Sequence, residues 1–448
     1  MSEELILNEI ENNKDEYIDF LRKIIQTESY NPPGNEKNVA LEIEKYLENE
    51  NIQSEIFSFG ENRANLIATL NNNFDGKNLL YNGHMDVVPP GSLEEWKYPP
   101  LSASIKRKRM YGRGTADMKS GTVAMVISLK ILKKLGLKIS GNLIFNAVAD
   151  EETGGKLGTE WCMDNALKSR KIDFTVIGEP TELNPLPHAI VLGEKGRFVI
   201  RIITNGISGH ASVPSLGVNA IYMMNDIIYN LDKLDDYIPK VKPPLTIDEL
   251  KQLISTLFPS KEVFQKVLDD QPLLQEAIKA NTQFTKIVTL IKGGIKDNVI
   301  PDQCECTIDF RLLPGQGIDM ILNGLKNLIK DLGYELKDEP IGLPEETFVY
   351  LDVLQKGEAS YWKEWRKSKI LKDFYNIVEK IYEKKSYYFI LPASSDARYY
   401  RNSKFCPSTI IFGPGNTRLT HSTNEYIEIQ DFINAIKVFT LFAYNFLK

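Results

Sequence analysis

Residues 78–91 have the sequence NLLYNGHMDVVPPG, in which an apolar run ends in a polar turn that contains His84 and Asp86. Further β-rich runs lie at 53–58, 65–70, 142–149 and 174–178, and helical periodicity separates them at 119–135 and about 155–168. This alternation predicts a layered α/β domain with a mostly parallel sheet. In such domains ligands bind beyond the carboxyl ends of the strands.

The pattern changes near Gly193. Between residues 197 and 338 the runs follow the order βαββαβ, which is compatible with a ferredoxin-like unit, and from about residue 367 the helix and strand alternation resumes. We therefore predict a larger domain over 1–193 and 367–448, with an inserted domain over 194–366 that a proline-rich, helical segment at 236–285 lengthens. Two amphipathic helices are expected at the start of the chain, over 4–27 and 37–50.

The composition argues against several classes of function. The 448 residues carry a net charge of −6, which gives no electrostatic reason to bind nucleic acid or an acidic membrane surface. No apolar run approaches the about 18 residues of a membrane span, and the acidic N-terminus lacks the basic start of a signal peptide. We expect a cytoplasmic protein. The one basic cluster, at 106–109, is expected at the solvated tip of a hairpin and not at a nucleic-acid site.

Histidines and carboxylates are concentrated in the polar turns. Glu151 and Glu152 stand side by side in ADEETGG, Glu179 follows the run at 174–178, and His421 follows a run at 408–412. Asp117 ends a glycine-rich turn before a predicted helix. Taken singly, each is also compatible with a local hydrogen bond, a helix N-cap or a solvated turn.

Taken together, these turns favour a metal site. Five loops, each following a strand of one predicted sheet, would deliver imidazoles and carboxylates to the same edge. Such mixed ligand sets suit zinc and related divalent ions. The four cysteines are too few and too scattered for a disulfide framework, and Cys304 and Cys306 alternate within a predicted strand.

Six motifs in order resemble one family of enzymes: GHMDVVPPG, GRGTADMKSG, DEETGG, IGEPT, the GHAS of ISGHASVP, and THSTNEYI. They are similar to those of the dinuclear zinc hydrolases that include acetylornithine deacetylase, succinyl-diaminopimelate desuccinylase, aminoacylase and the glutamate carboxypeptidases. The resemblance covers nearly the whole chain. It implies a zinc-exopeptidase-like α/β catalytic domain and an inserted ferredoxin-like α+β dimerisation domain, hence a homodimer.

The resemblance also assigns roles to residues around two zinc ions, for which cobalt or manganese could substitute. Asp117 would bridge both ions and precede a cis peptide bond, and Glu151 would be the general base. The remaining ligands would be His84 and Glu179 at one ion and Glu152 and His421 at the other, with Asp86 orienting His84.

Three further residues match positions that act on the substrate in the family, and two glycines are expected beside them. His210 would reach the partner subunit's active site and stabilise the oxyanion. Asn298 and Arg311 would bind substrate, Arg311 through a carboxylate. Gly413 and Gly415 would let the backbone approach the terminal carboxylate of the substrate. His188 lies outside every motif, so we expect a structural or solvent-exposed position for it.

These features predict a metal-dependent amidohydrolase that removes an N-acyl group from an amino acid or diamino acid, with a hydroxide bound to both metals as nucleophile. A metallocarboxypeptidase or dipeptidase with the same metal chemistry is the alternative, because each cleaves an amide next to a carboxylate. A more distant alternative is an inactive relative that serves as a binding module. The acyl group, the amino acid and the metal used in the cell remain open.

Overall fold

The computed structural model describes residues 2–71, 76–340 and 345–448. Within these ranges the strands are β1 Gln53–Phe59, β2 Arg63–Leu70, β3 Asn78–His84, β4 Ser104–Lys106, β5 Arg109–Tyr111, β6 Asn142–Val148, β7 Phe174–Ile177, β8 Glu182–Leu183, β9 Leu186–Glu194, β10 Gly196–Asn205, β11 Gly209–His210, β12 Thr285–Gly293, β13 Val299–Ile300, β14 Gln303–Leu312, β15 Leu336–Lys337, β16 Phe348–Gly357, β17 Ser360–Tyr361, β18 Tyr387–Leu391, β19 Thr409–Ile411 and β20 Tyr426–Glu428.

The α-helices of the same ranges are α1 Ser2–Asn12, α2 Lys14–Gln26, α3 Glu36–Glu48, α4 Lys119–Lys134, α5 Trp161–Asp164, α6 Ala220–Tyr229, α7 Ile247–Ser255, α8 Lys261–Asp270, α9 Pro272–Ala280, α10 Ile318–Asp331, α11 Lys369–Tyr382, α12 Ala397–Asn402 and α13 Ile429–Leu447. None of them combines the length and apolar character that a bilayer crossing needs.

The larger sheet has the order β1-β2-β6-β3-β7-β19-β9-β17, with β8 and β18 also pairing with β9. Its four central strands, β6, β3, β7 and β19, are parallel, whereas the pairs at its two sides include antiparallel ones. The prediction of a mostly parallel sheet therefore holds for the centre. The buried helices α4 and α13 pack together against β3, which places the core beneath the centre of this sheet.

The inserted domain contains a second sheet, of order β12-β14-β10-β16-β15, with α6 and α10 packed on it. This is the ferredoxin-like arrangement, but its fourth long strand is β16 rather than the segment at 334–338. That segment supplies only the short parallel edge strand β15. Cys304 and Cys306 are buried on β14 as strand residues, and all four cysteines of the chain are free.

The strand that leaves the larger sheet for the inserted domain lies beside the strand that returns from it. Gly193 and Glu194 at the end of β9 pair with Tyr361 and Ser360 of β17. The return therefore occurs a few residues before 367, because β17 already belongs to the larger sheet. The two crossings flank the inserted domain.

Three local differences from the predicted elements concern helices. The N-terminal run forms two helices, α1 and α2, so that three rather than two helices open the chain. The run at 155–168 holds a π-helix at Lys156–Glu160 and the short α5. Helices α7, α8 and α9 pack apolar side chains such as Leu250 and Phe264 into the core of the larger domain. The segment at 236–285 thus extends that core, although it lies within the inserted stretch.

Candidate active site

His84 ends the central strand β3, and its ring is held in one orientation. Its Nδ1 atom lies 2.8 Å from the backbone carbonyl of Asp86 and 3.6 Å from the Asp86 carboxylate. When Nδ1–H donates to this carbonyl, the Nε2 lone pair is left available for a metal ion. Asp86 thus contacts the predicted edge of His84, more closely through its backbone than through its side chain.

The carboxylate of Asp86 holds the turn that carries the adjacent glutamates. It accepts hydrogen bonds from the backbone N–H of Glu151 at 3.2 Å and of Glu152 at 3.1 Å. Asn31 donates to the same carboxylate at 2.8 Å. The buried Asp86 therefore fixes the His84 segment and the Glu151 segment relative to each other.

Asp117 lies between two histidines. Its Oδ1 is 3.1 Å from Nε2 of His84, and its Oδ2 is 3.3 Å from Nε2 of His421. The peptide bond between Asp117 and Met118 is cis, as the resemblance implies. A carboxylate that faces a different imidazole with each oxygen has the geometry of a ligand shared by two ions.

Two further carboxylates extend these contacts into two sets of donors. Glu179 lies 3.5 Å from Nε2 of His84, and Glu152 lies 3.0 Å from Nε2 of His421. Donor atoms of His84, Glu151 and Glu179 also lie within 4.8 Å of one another. The structure thus brings together the six side chains predicted as metal ligands and general base.

Five of these six side chains follow the carboxyl ends of the parallel strands β3, β6, β7 and β19, but Asp117 does not. It follows β5, a strand of a separate three-stranded sheet of order β20-β5-β4. The prediction of five loops from one sheet was wrong on this point. The cause is the hairpin of β4 and β5, whose tip includes Arg107 and Lys108 and which pairs with β20 just after the His421 loop.

Burial and mutual repulsion perturb the carboxyl groups. Burial raises the pKa values of Glu151 and Glu179 well above the usual range, and the nearby Asp117 charge adds to the rise in each. Burial also opposes ionisation of Asp117, but hydrogen bonds to His421 and His84 hold its pKa below the usual range. Hydrogen bonds to Asp117 and Glu152 raise the pKa of His421 to about 10.

The donor set fits divalent metal ions. Among the described residues, Oε1 of Glu152 is buried and has no hydrogen-bond partner, although its other oxygen contacts His421. A buried carboxylate oxygen without a donor is unfavourable unless a cation lies nearby. Two imidazoles among carboxylates suit zinc and similar ions rather than calcium or magnesium.

A buried ion pair that the sequence analysis did not predict supports the ligands. Nη1 of Arg113 lies 2.6 Å from Oε2 of Glu425, and both side chains are almost fully buried. Oε1 of Glu425 accepts from the backbone N–H of Ala116 and Asp117 at 2.7 and 3.1 Å. Arg113 lies in the motif GRGTADMKSG and Glu425 in the motif THSTNEYI. Two opposite charges close in sequence to metal ligands could therefore have indicated this ion pair.

The predicted residues of the inserted domain lie in two places. His210 is exposed, and its Nδ1 lies 2.6 Å from Oγ of Ser212. Asn298 is beside it, because its carbonyl accepts from the N–H of Ala211 at 3.0 Å. Arg311 is on β14 and pairs with Asp309 at 2.7 Å. Within the described part of the chain, the hydrogen bonds of the His210 and Arg311 side chains do not reach the metal ligands.

Gly415 lies close to the site, and His188 lies beneath it. An added Cβ at Gly415 would be 3.2 Å from Cα of Ala116, the neighbour of Asp117. The N–H of Gly415 donates to Asp431 at 2.7 Å, so this group is already engaged. His188 is only 6% exposed and contacts the same aspartate, which makes it a buried structural residue.

Several known proteins are similar to this chain. A probable succinyl-diaminopimelate desuccinylase of Staphylococcus aureus (strain MSSA476) is 27% identical over 435 residues, 97% of this chain and 98% of its own. The fold is shared with an M20 family metallo-carboxypeptidase from Sulfolobus solfataricus, at a TM-score of 0.74, 20% identity and coverage of 96% of this chain and 99% of the other. A dinuclear metal binding peptidase of the M20 family from Bacillus subtilis aligns at a TM-score of 0.58 and 14% identity, over 98% and 99% of the two chains.

The predicted family, fold class and reaction class agree with these similarities. The layered α/β domain with an inserted α+β domain is confirmed, as is a hydrolase that cleaves amide bonds with bound metal. The characteristic sequence pattern of peptidase family M20/M25/M40 matches residues 80–445, most of the chain. The chain therefore belongs to peptidase family M20/M25/M40.

Proposed function

We propose that the protein hydrolyses the amide bond of an N-acylated amino acid or diamino acid, in the manner of a deacetylase or desuccinylase. The observation that carries this proposal is Asp117 facing His84 with one oxygen and His421 with the other. The Staphylococcus relative, similar over its whole length, is named as a probable succinyl-diaminopimelate desuccinylase. An N-succinylated diamino acid is therefore the first substrate to test.

Two zinc ions are the proposed cofactor, with cobalt or manganese as substitutes. His84, Asp117 and Glu179 would hold one ion, and Asp117, Glu152 and His421 the other. Two divalent ions bound there would acidify a water molecule and polarise the amide carbonyl. The mixed nitrogen and oxygen donors favour zinc among common divalent ions.

Glu151 is the proposed general base. It sits in the same turn as the ligand Glu152, and both backbone N–H groups are bound by Asp86. Because side chains of adjacent residues in this turn leave the backbone in different directions, one glutamate can bind metal while the other handles protons. Glu151 takes a proton from the attacking water and passes it to the leaving amine, a role typically worth about 10²–10⁴-fold in rate.

Recognition of the substrate is proposed to involve the inserted domain. Arg311 would bind a substrate carboxylate, exchanging its contact with Asp309 for it. His210 and Asn298 lie together and would act on the oxyanion and the amide from the partner subunit. Gly415 would form part of the pocket wall.

We propose a homodimer formed through the inserted domain. Strand β12 is at the edge of its sheet, and its side chains Ile287, Leu290 and Ile291 are 64%, 68% and 60% exposed. Tyr222 and Tyr229 on α6 are also largely exposed. An apolar edge strand beside exposed aromatic residues is a typical surface for association between chains.

A cytoplasmic location is also proposed. All four cysteines are buried and free, which is compatible with a reducing compartment. Accessibility of a tagged protein to membrane-impermeant reagents on intact cells would test the location. Labelling without lysis would contradict it.

The purified protein should be stripped with a chelator and assayed after zinc, cobalt or manganese is added back. Suitable substrates are N-succinyl-diaminopimelate, N-acetylornithine and a panel of dipeptides. Hydrolysis of acylated amino acids only would support the proposal, whereas hydrolysis of dipeptides only would establish the metallocarboxypeptidase or dipeptidase alternative. Metal binding without any hydrolysis would favour the inactive binding module.

A further inference from the structure

His188, which no family motif covers, lies at the centre of a buried network behind the candidate active site. Its Nε2 lies 2.9 Å from Oδ1 of Asp431. Tyr382 donates to the same oxygen at 2.7 Å, and the other oxygen, Oδ2, accepts from the N–H of Gly415 at 2.7 Å. The aspartate thus connects the buried histidine to a loop of the active site.

The imidazole ring is placed to carry a positive charge. Besides facing Asp431, the ring has its Nδ1 3.4 Å from Oγ1 of Thr181, and the nearby backbone carbonyl of Gly413 favours the protonated ring. Burial alone would lower the pKa of His188, but the Asp431 charge raises it above its usual value, and His188 in turn lowers the pKa of Asp431. The two residues therefore form a buried ion pair.

The same residues could be taken for a third cation site, since donor atoms of Glu182, His188 and Asp431 lie within 4.8 Å of one another. The contacts argue against it. A metal ion needs a free imidazole lone pair, whereas Nε2 faces the Asp431 carboxylate and Nδ1 faces the Thr181 hydroxyl, which itself donates to the carbonyl of Gly413. Both Asp431 oxygens already accept hydrogen bonds. An ion pair explains the contacts better than a bound ion does.

The loop held by this pair lies directly on the segments that present metal ligands. A Cβ at Gly413 would be 2.1 Å from the carbonyl oxygen of Gly178, the residue before Glu179. Gly415 approaches Ala116, the residue before Asp117, and its carbonyl accepts from the N–H of Glu182 at 3.1 Å. Residues 413–415 are therefore closely packed against these segments, and Asp431 adds a buried, charged acceptor that holds the N–H of Gly415.

We propose that His188 and Asp431 are a positioning pair that fixes residues 413–415 at the wall of the substrate pocket and so sets the affinity for substrate. The role in affinity rests on the proposed function, because it takes Gly415 as part of that pocket. The far end of the loop has its own support, since Arg113 donates to the carbonyl of Ser422 at 3.1 Å. The ligand His421 is therefore expected to keep its place when the pair is removed, and the larger effect is expected on substrate affinity.

Hydrogen exchange of the metal-loaded protein tests the tether without any substrate. In His188→Ala the amides of Gly413 and of residues 415–417 should exchange about tenfold faster than in the wild type, because Asp431, which accepts from the N–H of Gly415, is no longer held in place by His188. Peptides covering 421–428 should be unchanged. Tyr382→Phe, which removes one contact to Asp431 but keeps the ion pair, is the matched control and should resemble the wild type.

Kinetics with N-succinyl-diaminopimelate give the second measurement. His188→Ala should raise KM about tenfold and leave kcat within about threefold, the pattern of lost ground-state binding. His188→Gln, which keeps a donor toward Asp431, should recover most of the loss. If no substrate is turned over, the proposed function is wrong. The hydrogen-exchange result still shows whether the His188–Asp431 pair holds residues 413–415.

Three outcomes would overturn the proposal: unchanged exchange at 413–417 in a folded His188→Ala protein, equal acceleration at 421–428, or a third metal equivalent in the wild type that His188→Ala lacks. If His188→Ala does not fold, the double variant His188→Leu/Asp431→Leu removes both charges together, a change that is often tolerated. It carries the same exchange prediction.

Discussion

Glu425 and Asp117 are joined through the backbone of the bridging ligand: Oε1 of Glu425 accepts a hydrogen bond from the N–H of Asp117 at 3.1 Å. The other oxygen is 2.6 Å from Arg113, and Arg113 donates to the carbonyl of Ser422 at 3.1 Å, next to His421. One buried carboxylate and its partner thus support the two metal-ligand segments that face each other across the site.

Replacement of Glu425 by Gln should weaken metal binding by about 10–100-fold, the range found when partners that orient metal ligands are lost. The reason is that the amide nitrogen of Gln cannot accept the hydrogen bonds that the carboxylate receives. Competition with a chromogenic chelator measures the change. Glu428→Gln is the control, because its ion pair with Arg109 is about half exposed and contributes little. Equal metal affinities of Glu425→Gln and Glu428→Gln would refute the supporting role of Glu425.

The two adjacent glutamates should separate chemistry from metal binding. Glu151→Gln should retain both metal ions and lose about 10²–10⁴-fold in turnover, because the amide cannot accept the proton of water. Glu152→Gln should instead lose metal, since Glu152 contacts His421 at 3.0 Å. Metal analysis beside kcat distinguishes them. If both variants keep or both lose the metals, the division of roles between the two residues is wrong.

Close packing behind Glu179 should make Gly121 intolerant of a side chain. A Cβ there would be 2.0 Å from the carbonyl oxygen of Gly178. Gly121→Ala should therefore destabilise the protein by about 1–3 kcal/mol, as overpacked cores do, and weaken metal binding by moving Glu179. Thermal unfolding and chelator competition measure both effects.

Gly317→Ala is the control for Gly121→Ala. An added Cβ at Gly317 meets nothing within 4 Å, and φ is −87° there. The free energy of unfolding of Gly317→Ala should stay within about 0.5 kcal/mol of the wild-type value. A Gly121→Ala protein as stable as this control would show that α4 can shift without disturbing the site.

Local patterns predicted the centre of the fold because the buried strands of the parallel region are short apolar runs followed by turns. They did not predict β16, whose residues include a partly exposed half and whose place beside β10 depends on pairing across about 150 positions of the chain. The break between α1 and α2 at Asn13 was also missed, because neither glycine nor proline marks it.

In the candidate active site, too, some features could be predicted from the sequence and others depend on contacts between distant residues. The resemblance identified the residues that converge, but the partners that hold them come from distant parts of the chain. His188 and Asp431 are 243 positions apart, and Arg113 and Glu425 are 312 apart. Burial of such charges depends on the folded structure, so no local spacing could distinguish His188 in a buried pair from an exposed histidine.

His210 should be needed for turnover but only across the proposed dimer interface. It is exposed on the inserted domain, where its ring contacts Ser212. If it supports the oxyanion in the partner's site, His210→Ala should reduce kcat about 10²–10³-fold, the effect of losing one such donor. The metal content should stay unchanged, because the metal ligands all lie in the larger domain.

Mixing two inactive variants tests whether the histidine acts in trans. Subunits carrying His210→Ala and subunits carrying Glu151→Gln are each inactive as homodimers. In a mixed dimer one site would combine Glu151 of the first chain with His210 of the second, so activity should return, up to about one competent site per heterodimer. Tagged purification of the heterodimer before the assay supplies the control for assembly. A pure heterodimer that stays inactive would show that His210 acts within its own subunit or takes no part in the reaction.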